Sequence, residues 1–85
     1  SLPTLTEERK RELVKLLREK LESSRIQVRR ARDEAMKAVD AREKAKEISE
    51  DEEFRQKQEM EKAVGEYNKK IEELGASKER EIMTG

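Results

Sequence analysis

The stretch KEISEDEE, residues 46–53, decides how the chain folds, because it breaks a helical pattern that otherwise runs along most of the sequence. Ser49-Glu50-Asp51-Glu52 fits the S-x-x-E capping box, in which a serine hydroxyl takes up a free backbone N–H at the start of a helix. Ile48-Ser49 interrupts the apolar spacing that precedes it. A turn is therefore expected at about 47–49, with one helix before it and another after. Five acids fall within residues 47–53, which invites comparison with a calcium loop. They lack the central glycine and alternating ligand spacing of an EF-hand, and the cap accounts for them, so no metal is expected there.

On the N-terminal side, Val14, Leu17, Leu21, Ser24, Val28, Ala31, Ala35, Ala38, Arg42 and Ala45 recur at alternating spacings of three and four. That is heptad spacing, the mark of a helix burying one narrow seam. No Gly or Pro interrupts it, and the spacing predicts a helix over about 6–46, roughly 60 Å long at the usual rise per residue. Met36 and Val39 widen the apolar strip. Thr6 is the expected N-cap, with Glu7 and Glu8 in the first turn, where the helix dipole favours negative charge. Thr4 with Glu7 is the alternative cap. Ser1 to Leu5 reads as an extended lead-in, since Pro3 disfavours helix at Leu2.

On the C-terminal side a helix is expected over about 50–82, with Phe54, Met60, Val64, Tyr67, Ile71, Leu74 and Ile82 on its seam. Gly65 and Gly75 lie inside it, each costing about 1 kcal/mol relative to alanine. Gly75, in ELGAS, is the expected site of a bend or fraying. So short a connection makes the helices antiparallel neighbours. The expected fold is all-α: a single helical domain over 1–85, built as an antiparallel hairpin of two long helices. Leu13, Leu16 and Ile26 lie off the seam and widen the strip beyond what one partner helix covers. Two helices of this size make a thin core. The hairpin is thus expected to be part of a three-helix bundle, or to be completed by self-association, with a dimer favoured.

Composition narrows the function. Of 85 residues, 49% are charged and 32% hydrophobic, 21 basic side chains balance 21 acidic ones, and there is neither cysteine nor histidine. Disulfides, thiolate sites, a cysteine nucleophile and the commonest neutral-pH general base are all excluded. No apolar run approaches the roughly 20 residues that span a bilayer, and the first ten residues carry no secretory signal. A soluble, cytoplasmic protein is expected. Tyr67 and the carboxylates offer acid and base groups, but no phosphate loop, nucleophile elbow or metal-ligand spacing accompanies them. An enzyme is not expected, nor is a cofactor or a small-molecule substrate.

The feature that points to a function is RIQVRRAR, residues 25–32, with four arginines in eight positions. On a helix Arg25, Arg29 and Arg32 form one stripe, with Arg18 two turns earlier, beside the face that carries Val28, Ala31 and Ala35. Forked guanidinium groups beside a buried face suit the grip of a phosphate backbone. A solvated, salt-bridged helix face is the alternative.

Four pieces together carry a family resemblance: LPTLTEERKRELVK at 2–15, VRRAR at 28–32, KEISEDEE at 46–53 and KKIEELGASKEREIM at 69–83. In this order and at these separations they resemble the C-terminal part of ribosome recycling factor. The resemblance implies the second and third helices of a three-helix domain, with the first helix and an inserted β-rich domain lying outside these residues. It also implies ribosome disassembly after translation termination, with large-subunit rRNA and elongation factor G as partners. Arg29 and Arg32 match the arginines that touch rRNA phosphates in that family, and Arg25 is a further candidate. Arg30 stands where the family often has Asn, Ala31 where it has a larger aliphatic residue, and Asp33 where it usually has another Arg. Phe54 and Tyr67 are expected on the seam, which leaves recognition to backbone and shape. Without its second domain the chain is expected to be inactive in recycling. The competing reading is an engineered helical scaffold or protein-interaction module built on this fold, without ribosome activity.

Overall fold

The structure, a computed structural model, describes residues 5–85. The lead-in at Ser1 to Thr4 and the alternative cap at Thr4 lie outside the described residues. Helix α1 spans Glu7–Lys44 and helix α2 spans Glu50–Thr84, packed against each other as an antiparallel hairpin measuring 66 × 16 × 15 Å. The architecture is the all-α hairpin that the periodicity implied. α1 stops two residues short of expectation and α2 runs two residues further.

Each helix start is capped as its sequence requires. Thr6 is extended, and its hydroxyl accepts from Arg9 N at 3.0 Å. Ser49 does the same from Glu52 N at 3.1 Å, with Glu50, Asp51, Glu52 and Glu53 all in the first turn of α2. The acid run is thus the start of a helix, where the dipole favours it.

The end of α1 is a Schellman turn. Lys46 N donates to Glu43 O at 2.9 Å and Glu47 N to Arg42 O at 2.8 Å. This pattern places Lys46 in the left-handed region, at φ 62°, where glycine is usual. A hydrophobic clasp often accompanies the turn; here Arg42 and Glu47 approach each other as an ion pair at 3.7 Å. Ile48 tucks in at 8% exposure and closes the hairpin end.

The core is thin. Val39, Ile48 and Ile71 are its buried hydrophobic residues, and no large side chain among the described residues is completely enclosed. The accessible surface is 7154 Å², where a compact monomer of this mass has about 5200 Å². Along α1 the contact line follows Val14, Leu17, Leu21, Val28, Arg32, Met36 and Val39, while Ala31, Ala38, Arg42 and Ala45 are exposed. The departure from the expected seam has a geometric cause. A straight helix drifts by about 20° per heptad against a strict seven-residue repeat, so the alanines rotate off the contact line towards one flank.

Two expectations for α2 are corrected. Gly75 neither bends nor frays the helix; it is buried in an unbroken α2 against Leu21. Phe54, Tyr67 and Leu74, expected on the seam, are 64%, 54% and 58% exposed. The contact line of α2 runs through Val64, Ile71, Gly75 and Ile82, and these two rings fall on opposite sides of it. Tyr67 joins Val28, Ala31, Ala35, Met60, Ala63 and Val64 in an open, mostly apolar groove that Arg32 also borders. Phe54 lies near the turn, beside Met36, Lys57 and Glu61.

Candidate nucleic-acid interface

The hairpin has two unlike broad faces. One carries the apolar groove. The other is charged, and it carries the arginine stripe because steps of seven, four and three residues keep Arg18, Arg25, Arg29 and Arg32 on one flank of α1. Arg25, Arg29 and Arg32 line a single shallow cleft with Glu61, Val64 and Asn68 of α2. One step towards the open end of the hairpin, Arg18 and Arg25 flank a second cleft with Glu22, Glu72 and Glu79. The three candidate arginines are therefore brought together. Arg30 is exposed and lies about 100° further round α1 than Arg29, off the stripe.

The arginines differ in how free they are. Arg18 reaches across to α2, with Nε donating to Glu79 Oε1 at 2.9 Å and Nη2 at 2.7 Å from the same oxygen. Arg25 pairs within α1, its Nη1 donating to Glu22 Oε2 at 3.1 Å. Arg32 is half-buried; its Nε donates to Glu61 Oε1 at 2.6 Å and its Nη1 to Asp33 Oδ1 at 3.3 Å, while Nη2 also meets the Glu61 oxygen. The Glu61 hydrogen bond, reinforced by its charge, raises the Arg32 pKa above the ordinary arginine value. Arg29 is exposed and makes no ion pair among the described residues. Asn68 Oδ1 is buried without a hydrogen-bond partner.

The sequence pattern located the stripe but missed its cross-helix partners. Glu61, Glu79 and the Lys57–Asp40 pair were legible only through hairpin register, since each partner pair lies at similar distances on either side of Ile48. Chemically, the face offers one unpaired guanidinium between two paired ones, all on a rigid helix. It can hold successive phosphates of a backbone. Among the described residues no group of three or more His, Cys, Asp or Glu side chains is arranged to hold a metal, and no helix is long and apolar enough to cross a membrane.

Known proteins place this geometry in context. The profile described as Ribosome recycling factor matches residues 1–83. The chain is 46% identical over 84 residues to the ribosome-recycling factor of Natranaerobius thermophilus, covering 99% of this chain and 46% of that protein. It is 42% identical over 83 residues to that of Symbiobacterium thermophilum, covering 98% of this chain and 45% of that protein. The counterpart in Thioalkalivibrio sulfidiphilus is 42% identical over 82 residues. The chain thus spans a little under half the length of the curated relatives it matches.

Proposed function

The chain belongs to the ribosome recycling factor family, and from that membership we propose that its charged face binds the phosphate backbone of large-subunit rRNA through Arg25, Arg29 and Arg32, as part of ribosome disassembly after translation termination. The observation that carries this reading is the gathering of the three arginines along one cleft, with Arg29 unpaired at its centre. Contact is to phosphates and shape in the cleft of the three arginines, which holds no aromatic residue; Tyr67 lies on the apolar face, and the one ring on the charged side, Phe54, lines the neighbouring cleft with Arg32 and Glu61. The protein works by binding and not by catalysis, in the cytoplasm, with elongation factor G as the second partner. These 85 residues alone bind without splitting subunits, because the resemblance puts the β-rich domain that must move against this one outside them.

The apolar groove is the other half of the proposal. Val28, Ala31, Ala35, Met60, Ala63 and Tyr67 form the seat of a third bundle helix, and small side chains there let a helix approach closely. When only these residues are present, a second copy takes that seat and makes a dimer.

The competing reading, a scaffold or protein-interaction module, draws on the ion pairs that occupy Arg18, Arg25 and Arg32. Sedimentation with large ribosomal subunits separates the two. Arg29→Glu combined with Arg32→Glu abolishes pelleting at unchanged helicity under the first reading. Equal pelleting of the double variant and the parent chain overturns it.

A further inference from the structure

Within the stripe, Arg32 is singular. Its Nε and Nη2, the side edge by which a guanidinium forms a two-pronged bond to an oxyanion, both face Glu61 Oε1 from the opposite helix, and its end edge is engaged as well, with Nη2 on Glu61 and Nη1 on Asp33. Arg25, by contrast, is tied only to Glu22 on its own helix, and Arg29 to nothing among the described residues. A phosphate can therefore reach Arg29 directly, but it can take the forked edge of Arg32 only by displacing the Glu61 carboxylate. Glu61 faces the arginines from α2, and Glu22 and Asp33 pair with Arg25 and Arg32 from α1 itself, so three carboxylates offset three guanidinium groups and little net positive field attracts polyanions from a distance.

We propose that Glu61 is a latch that sets the RNA affinity and selectivity of this face by competing with phosphate for Arg32. Arg29 makes the first contact with any phosphodiester backbone. Arg32 joins only where a structured RNA holds a phosphate against the cleft, so that displacement of Glu61 is compensated locally. Disordered or misplaced backbones gain one arginine fewer. The pair also ties α1 to α2, so release of Glu61 loosens the hairpin where the RNA lies. The latch rests on the phosphate-binding reading above and adds to it the residue that regulates the site.

The experiment compares the parent chain with Glu61→Gln, Arg32→Gln, the double variant and Glu73→Gln. Glu73 is exposed on α2, makes no ion pair among the described residues, and controls for the change in net charge. Pelleting with large ribosomal subunits is titrated with salt. Glu61→Gln binds severalfold more tightly at low salt, with a log–log salt slope steeper by about 0.7 to 0.9, the increment of one added phosphate contact. The double variant matches Arg32→Gln, and Glu73→Gln matches the parent in slope. Tightening by Glu61→Gln that persists without Arg32, or no tightening at all, overturns the latch. In the free chain, the Arg32 Nε–H is slow to exchange with water in an NMR spectrum and becomes fast in Glu61→Gln. No such difference overturns the latch whatever the ribosomes do. A clear difference together with no pelleting by any variant leaves an ion pair without an RNA role, which overturns the phosphate-binding reading and the latch with it.

Discussion

Leu21 of α1 packs directly onto Gly75 of α2: a Cβ built on Gly75 would lie 2.5 Å from Leu21 Cδ1, 3.1 Å from Cδ2 and 3.4 Å from Cγ. The missing side chain is what lets the leucine lie across the α2 backbone. Gly65, ten residues earlier in the same helix, has nothing within 4 Å of its own built Cβ. The two glycines should therefore respond oppositely to alanine. Gly65→Ala gains about 1 kcal/mol from helix propensity alone. Gly75→Ala receives the same gain but forces Leu21 out of the contact, and overpacking of this kind typically costs about 1–3 kcal/mol. Urea melts should place Gly75→Ala below Gly65→Ala by at least about 1 kcal/mol. Equal stabilisation of both would show that Leu21 is not confined there.

The turn yields a second test. Lys46 holds a left-handed conformation in a Schellman turn without being glycine. For a residue with a Cβ that conformation costs about 1–2 kcal/mol, so Lys46→Gly should stabilise the hairpin by about 1 kcal/mol. Lys46→Val, branched at the strained position, should destabilise it. Thermal melts of the pair check the order, and an inverted order would mean the turn opens in solution.

Much of this architecture was legible from residues alone, for identifiable reasons. Thr6 and Ser49 announced the helix starts because side-chain caps are local chemistry. Val14, Leu17, Leu21 and Val28 announced the contact line because period is local too. Past Val28, period alone does not place the seam. Alanines at heptad spacing look like a seam, yet a helix unwound by no supercoil carries Ala31 and Ala38 off it and brings Arg32 and Val39 on. Gly75 reads as a helix breaker in the sequence because its packing role depends on Leu21, which is distant along the chain. The arginine stripe was visible as a pattern. That Glu61 occupies Arg32 while Arg29 stays free required the register of the hairpin.

A third prediction concerns pH. Lys57 bridges Asp40 of α1 and Glu53 of its own helix, the latter at 2.9 Å. The Lys57 hydrogen bond holds the Asp40 carboxyl below its ordinary pKa, and the Asp40 hydrogen bond holds the Lys57 ammonium above its own. A lowered acid contributes stability above its unfolded pKa, near 4 as a rough reference, and loses it as pH falls through the folded value. A raised lysine contributes below its unfolded pKa, about 10.4, and loses it as pH rises through the folded value. Between those limits the bridge is constant. Lys57→Met should lower the melting temperature at neutral pH and flatten its dependence on pH at both extremes. An unchanged acid limb in the variant would mean that Asp40 is not held by Lys57.

The open groove predicts association. If a second copy covers Ala31, Ala35, Met60 and Tyr67, the melting midpoint rises with concentration, as it must for any folded state that is bound to a partner. Ala35→Glu, which sets a charge on the apolar face, should remove that dependence and give a monomer by sedimentation equilibrium. A midpoint constant over about a hundredfold concentration range for the parent chain would rule out the dimer.

The central claim, that the charged face grips rRNA phosphates, stands most directly on Arg29, because reversing its charge breaks no ion pair among the described residues. The decisive measurement is the salt dependence of pelleting with large ribosomal subunits for the parent chain and for Arg29→Glu. The account predicts salt-sensitive pelleting by the parent, and for the variant weaker binding with a log–log slope shallower by about 0.7 or more. Superimposable salt curves for the two proteins, or no pelleting by the parent at any salt concentration, would contradict it.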